Sequence, residues 1–250
     1  MRDKIKMWWW IDFPGNLGDQ ITPFIVQKMW GQVDYVERWW KYKLIGAGST
    51  LWAANPGDLI WGTGMNSATH RTDTHDYSQV EFLGVRGPLT QQVFPQAKVI
   101  GDPALLAPLC FPRTVEATKE VGYLPHYVDY RKFDIPEEDE IKIMNCNPVA
   151  VLEEMWQYKK IISTSLHGII LAHAYGIPAA WWEPSQNVNG DGTKFRDYGL
   201  SVGLDLQPAQ YVDEVTFTLP DEDAVKSLQK LLLETFYTRF GTPENPISVQ

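Results

Sequence analysis

The chain has 250 residues, 44% of them hydrophobic, and a formal net charge of −9. At roughly 150 residues per domain this length allows one large domain or two small ones with a full core. The acidic balance and the lack of a long basic run remove the phosphate attraction that nucleic-acid binding relies on, so no nucleic-acid partner is expected.

The basic start is followed by an apolar run, Met7 to Ile11, that stops at Asp12. It is too short for a signal-peptide core or a membrane span, and a cytoplasmic chain without a transmembrane segment is the expectation. Ile5 to Ile11 reads as a strand, followed by the glycine-containing loop Asp12 to Asp19 and a helix to about Trp30, with Ile21, Phe24, Ile25 and Met29 at helical spacing. Short apolar runs at Lys43 to Ile45, Leu59 to Trp61, Phe82 to Val85 and Val99 to Ile100 each end in a glycine-containing turn. Strands punctuated this way predict an α/β sheet with its loops gathered at one edge. Neither Gly46-Ala-Gly48-Ser49 nor Gly62-Thr-Gly64 completes a dinucleotide fingerprint or a P-loop.

Pro108 to Thr114 reads as a boundary, closing an N-terminal half over 1–110 and opening a second over 115–210. The second half has strands predicted at Val121 to Leu124, Ile141 to Met144, Lys160 to Ser163 and Ile177 to Trp181, with helices near Val149 to Tyr158 and from Gly168. Asp221 to Phe240 places Val225, Leu228, Leu232 and Phe236 on one face, acidic residues first and Arg239 last. This predicts an amphipathic helix over 220–241 that packs across the halves.

The stretch Ile161 to Trp181 breaks from an apolar strand into a polar turn and presents His167 as a helix opens. Unpaired amides and the positive end of the helix dipole favour an anion there, and an imidazole beside an anion is a candidate acid or base. Arg86, in a turn after a buried strand, can fork onto a carboxylate or phosphate, or pair with an acidic side chain. Asp102 before Pro103 reads as a helix cap. His126 follows a strand, and Lys194 lies in the loop Asn189 to Phe195. His70, His75 and His173 build no metal site, since His173 falls on a different helical face from His167. Cys110 and Cys146 suggest neither zinc nor a disulfide and fit a reducing compartment. Eleven tryptophans could hold sugar rings, and the simpler reading is that most fill core.

Asn16-Leu-Gly-Asp19, Val85-Arg-Gly-Pro-Leu-Thr90, Gly101-Asp-Pro-Ala-Leu-Leu106, Gly122-Tyr-Leu-Pro-His-Tyr-Val-Asp129, Ser163-Thr-Ser-Leu-His-Gly168 and Lys194-Phe-Arg-Asp-Tyr198 together resemble the polysaccharide pyruvyl transferase family. The resemblance implies two Rossmann-like halves facing across a cleft, a GT-B-like arrangement. It also implies transfer of pyruvate from phosphoenolpyruvate to a sugar of an exopolysaccharide or cell-surface glycan as a ketal. Catalysis would fall to His167, Arg86 and Asp19. The donor would be held by Arg86, Ser165, Leu166, His167, Gly168, Lys194 and His126, while Asn16 and Asp102 would orient acceptor hydroxyls or shape loops. The family motif commonly carries Arg where this chain has Ser165, which shifts the burden of the donor's charge to Arg86, Lys194, His167 and the helix end. The resemblance implies no cofactor and no metal-ligating residue, and leaves a divalent-metal requirement open; the partners are phosphoenolpyruvate and a glycan or lipid-linked saccharide, the latter with peripheral membrane association. The competing readings are a nucleotide-sugar glycosyltransferase of GT-B-like fold and a noncatalytic glycan-binding protein.

Overall fold

The computed structural model describes residues 3–11, 16–69, 76–143 and 147–249. The loop at Asp12 to Gly15, His70, His75, Met144 and Cys146 lie outside the described residues, so the readings placed on them have no structural counterpart here. The chain is α/β and forms two parallel sheets.

The first sheet contains β1 (Ile5–Met7), β2 (Val33–Tyr35), β3 (Leu44–Ile45), β4 (Leu59–Trp61) and β5 (Glu81–Gly84), in the order β2-β1-β3-β4-β5. β3 and β4 are buried at every position, as expected for parallel strands covered on both faces. The helix α1 (Leu17–Trp30) carries the chain from β1 to β2, starting where Asn16 accepts a hydrogen bond from the Gly18 amide at 3.2 Å. After β5 come α2 (Pro88–Val93), a 3-10 turn at Pro103–Leu106 and α3 (Ala107–Cys110). The predicted strand at Val99 to Ile100 is a single bridge from Val99 to Val85, because the chain turns into the Pro103 segment at once. β2 was not legible in sequence, being three half-buried residues with an aspartate in the middle.

The second sheet is β6 (Lys119–Leu124), β7 (Tyr158–Ser163) and β8 (Ala179–Trp181), in the order β6-β7-β8. Between β6 and β7 lies α4 (Pro148–Met155), which ends three residues before the sequence reading because Tyr158 already belongs to β7. The predicted strand from Ile141 reduces to one bridge between Glu140 and Tyr123. The connection from β7 to β8 is α5 (Leu166–Ala174), which is buried from Leu166 to His173, the signature of a central helix. It begins at Leu166, with Ser165 as the extended residue before it, two residues earlier than predicted.

Then follow α6 (Thr193–Ser201) and α7 (Glu222–Phe240). Asp221 caps α7 by accepting from the Asp223 amide at 2.8 Å, and Val225, Leu228, Leu232 and Phe236 are buried as the spacing predicted. The helix lies against β4, β5 and the Pro103 turn: Trp61 Nε1 donates to the Leu232 carbonyl at 3.2 Å, and Gln229 Nε2 to the Leu105 carbonyl at 2.8 Å. A single hydrophobic cluster runs from Ile5 and Met7 through Leu105 and Ile169 to Ile161 and Trp181, so the two sheets share one continuous core. Among the described residues no helix is long and apolar enough to cross a membrane.

Candidate active site

Both sheets contribute the loops at their carboxyl edges to one cleft of about 370 Å³. In open α/β sheets ligands bind at that edge, where the strand order reverses, and in the first sheet the reversal lies between β1 and β3. One wall comes from those two strands: Trp10, Asn16 and Asp19 follow β1, and Gly48 to Thr50 with Trp52 follow β3. The other wall carries His126 after β6, Ser165 to His167 after β7, and Asn187, Asn189 and Lys194 after β8.

The turn that presents His167 is braced by Ser163, whose Oγ donates to the Leu124 carbonyl at 2.5 Å and accepts from the Ser165 amide at 3.0 Å. Gly168 packs over this hydroxyl, where an added Cβ would stand 2.2 Å from Oγ, so it supports the turn from behind. The first helical bond of α5 runs from the Ile169 amide to the Ser165 carbonyl. The amides before it have no partner within the helix, and the positive end of α5 therefore opens at the cleft.

His167 sits between two backbone-anchored groups. Its Nε2 lies at ion-pair distance, 3.4 Å, from Oδ2 of the fully buried Asp102, and neither atom has a hydrogen-bond partner among the described residues. Its Nδ1 packs against Gly18, where an added Cβ would stand 1.7 Å away. The expected cap by Asp102 is present as well, since Oδ1 accepts from the Ala104 amide at 2.9 Å. One carboxylate thus starts the Pro103 turn and faces the imidazole, from a position behind His167 and outside the cleft lining.

Asp19 is buried in the first turn of α1, beside Gly48. Burial, reinforced by the charge of Asp102 and opposed by His167 and Lys194, pushes its carboxyl up to about 7. Lys194 is not in a loop, as the sequence suggested, but in the first turn of α6, which the left-handed Gly192 (φ 81°) allows to begin at Thr193. Its Nζ donates to the Asn189 carbonyl at 2.6 Å, and burial together with the charge of Arg86 lowers its pKa to about 8. Among the described residues it is the only lysine or arginine lining the cleft. His126 also lines the cleft, but burial and the nearby Lys194 and His167 lower its pKa to about 3. At neutral pH it offers a hydrogen bond and no charge.

Arg86 has a different position from the one the sequence suggested. It is fully buried and outside the cleft lining, with Nε 3.1 Å from Asp197 Oδ2, Nη1 donating to the Gly48 carbonyl and to Ser49 Oγ, and Nη2 donating to the Met65 carbonyl at 2.7 Å. Every guanidinium nitrogen is engaged within the protein, which corresponds to the ion-pair alternative. Asp197 also accepts from the Thr90 amide and hydroxyl, at 3.0 and 2.7 Å. The pair therefore ties β5 and α2 of the first sheet to α6, and it holds the Gly48–Ser49 wall of the cleft in place.

Sequence reasoning assigned no role to Asp197, although it lies in the Lys194 to Tyr198 motif, nor to Trp10, Trp52, Asn187 and Asn189. His173 is structural: Nδ1 pairs with Tyr198 Oη at 3.1 Å and Nε2 with the Thr218 carbonyl at 2.9 Å, and burial lowers its pKa to about 4. Cys110 is a free, buried thiol pushed up to about 12 by burial, which leaves it inert as a nucleophile. Among the described residues no group of three His, Cys, Asp or Glu side chains gathers as metal ligands would.

Residues 30–184 match the polysaccharide pyruvyl transferase family, more than half of the chain. An uncharacterized protein of Acanthamoeba polyphaga mimivirus is 35% identical over 117 residues, which cover 42% of this chain and 40% of that protein. The succinoglycan biosynthesis protein ExoV of Rhizobium meliloti is 24% identical over 218 residues, covering 82% of this chain and 67% of ExoV. The aligned part of this chain thus spans less than half the length of the mimivirus relative. No solved structure matches.

Proposed function

The chain belongs to the polysaccharide pyruvyl transferase family, and from that premise we propose that it transfers the pyruvyl group of phosphoenolpyruvate to two hydroxyls of a glycan sugar, forming a ketal and releasing phosphate. The observation that carries the reading is the juxtaposition, in one cleft, of Lys194, the open end of α5, and two groups able to move protons, His167 backed by Asp102 and Asp19. In this reading the two sheets act as GT-B-like halves. The family resemblance and the relationship to a succinoglycan biosynthesis protein support a polysaccharide acceptor.

The chemistry requires protonation of the donor's methylene carbon, which leaves an oxocarbenium-like centre at C2. A sugar hydroxyl adds there and loses its proton, the C2–O bond to phosphate breaks, and a second hydroxyl adds with loss of its proton to close the ring. The donor's anionic groups are held by the Lys194 ammonium and the α5 amides, which keep their positive character in a partly buried site. His167 delivers the first proton and recovers one from an attacking hydroxyl, with Asp102 fixing its ring. Asp19, whose carboxyl titrates near neutrality, is the second proton carrier. Arg86 acts by holding the Gly48–Ser49 wall, and not by touching the donor.

The test is phosphate release from phosphoenolpyruvate with a panel of glycans, beside thermal-shift measurements with phosphoenolpyruvate and with sugar nucleotides. Stabilisation by phosphoenolpyruvate and glycan-dependent phosphate release are expected, with loss of turnover in His167→Ala. Stabilisation by a sugar nucleotide alone would replace this reading with glycosyl transfer.

A further inference from the structure

We propose that Trp52, with Trp10 beside it, is the platform on which a neutral pyranose ring of the acceptor stacks, an inference that rests on reading the cleft as the pyruvyl-transfer site. Trp52 is 37% exposed, yet its indole is fixed by its neighbours. Trp8 and Trp10 meet it edge to face at centroid distances of 5.6 and 6.1 Å, and the Arg38 guanidinium lies 5.5 Å from its ring. A large aromatic surface held rigid but open loses little conformational entropy when a ring settles on it, which is what a stacking site requires. It lines the same cleft as the proton-moving groups, on the wall opposite His126 and Lys194.

The polar lining fits the rim of such a ring. Asn66, Asn187 and Asn189 contribute amides, which both donate to and accept from hydroxyls. Asn187 gives its Nδ2 to Asp129 at 3.0 Å and so keeps its carbonyl oxygen for a hydroxyl donor. The charged side chains of the lining are Asp19, Lys194 and, while it carries the proton it delivers, His167, all engaged by the donor and its protons in the proposed reaction, and His126 is neutral. A uronic acid would bring a second carboxylate with no uncommitted cation in the lining to meet it, since Lys194 and His167 serve the donor and Arg38 lies over the Trp52 ring, outside the lining. A neutral hexose satisfies the amides and the indole without that cost, and the ketal then adds the first negative charge to that sugar.

The experiment is saturation-transfer NMR on the intact protein without phosphoenolpyruvate, using methyl glycosides of neutral hexoses and the matching uronates. Transfer to the ring C–H protons of neutral sugars is expected, with weak transfer to uronates. Trp52→Ala should abolish the signal and Trp52→Phe retain part of it. Trp39→Ala, at a position 74% exposed and outside the cleft lining, should behave as wild type. In turnover assays Trp52→Ala should raise the acceptor KM by about tenfold, the scale of a stacking contact, with the phosphoenolpyruvate KM unchanged. Wild-type sugar binding by a folded Trp52→Ala variant, or preferential binding of uronates, overturns the proposal. Because the NMR readout needs no turnover, sugar binding at Trp52 without pyruvyl transfer would refute the proposed reaction and leave the platform standing.

Discussion

His167 Nε2 faces Asp102 Oδ2 at 3.4 Å, with both side chains withdrawn from solvent and the two residues far apart in the chain. The carboxylate is anchored by its second oxygen to the Ala104 amide, so the imidazole is oriented by backbone geometry and not by a mobile side chain. Asp102→Asn separates the two duties of this residue, since an amide oxygen can still cap Ala104 while the amide nitrogen cannot accept a proton from the ring. We expect kcat to fall by about 10²-fold, the usual weight of positioned acid–base catalysis, with a melting temperature near that of wild type. Phosphate-release kinetics beside a thermal melt decide it. An unchanged kcat would confine Asp102 to its cap.

The opposite side of the same ring depends on Gly18. A methyl group there would overlap Nδ1 at 1.7 Å, and the ring cannot retreat because Asp102 lies behind it. Gly18→Ala must therefore move α1 away from α5 or swing His167 out of place. Overpacking of this kind costs about 1–3 kcal/mol. Denaturant unfolding should show that loss, and turnover should fall further than the lost stability explains. A variant as active as wild type would mean that His167 needs no fixed position.

The elements whose signal is local were readable from sequence, and those that depend on a distant partner were not. The face of α7 and the apolar centre of α5, Ile169 to Ala172, follow from residue spacing alone. By contrast, Ile141 and Val99 lie in apolar runs like those of true strands, and only the path of the surrounding chain reduces those segments to single bridges. The same division holds in the site. The gathering of His167, Asp19 and Lys194 at the cleft was legible because each sits in a short motif beside a turn. The use made of Arg86 was not, because it is decided by Asp197, 111 residues away, and no local pattern states which of two exposed-looking charges will be buried against the other.

Breaking that pair should reveal its role as a joint between the sheets. Arg86→Ala leaves the Asp197 carboxylate in a site with no solvent, with Thr90 its one remaining hydrogen-bond partner among the described residues, and removal of one partner from a buried pair costs about 3–5 kcal/mol. The expected outcome is a large drop in the denaturant midpoint, with the donor KM of the remaining folded fraction within about twofold of wild type. Asp197→Ala should destabilise similarly, and the double variant should be less unstable than the sum of the two. A stable Arg86→Ala protein with a greatly raised donor KM would return Arg86 to the donor site.

The raised pKa of Asp19 makes a distinct prediction about pH. Its carboxyl goes from an ordinary value of 3.8 to about 7 on folding, with burial the main cause. Between those values the folded protein holds a proton that the unfolded chain has released, so this group makes stability fall as pH rises through the window and leaves it level above 7. Asp19→Asn removes the slope. The melting-temperature difference between variant and wild type should therefore grow from pH 4 to pH 7 in favour of the variant and then stay constant, while activity is lost. Using the difference cancels His173, which acts in the opposite sense: its pKa is lowered to about 4, so its contribution is lost as pH falls below 6.5. A difference independent of pH would mean that Asp19 stays ionised in the folded protein and is not a proton carrier.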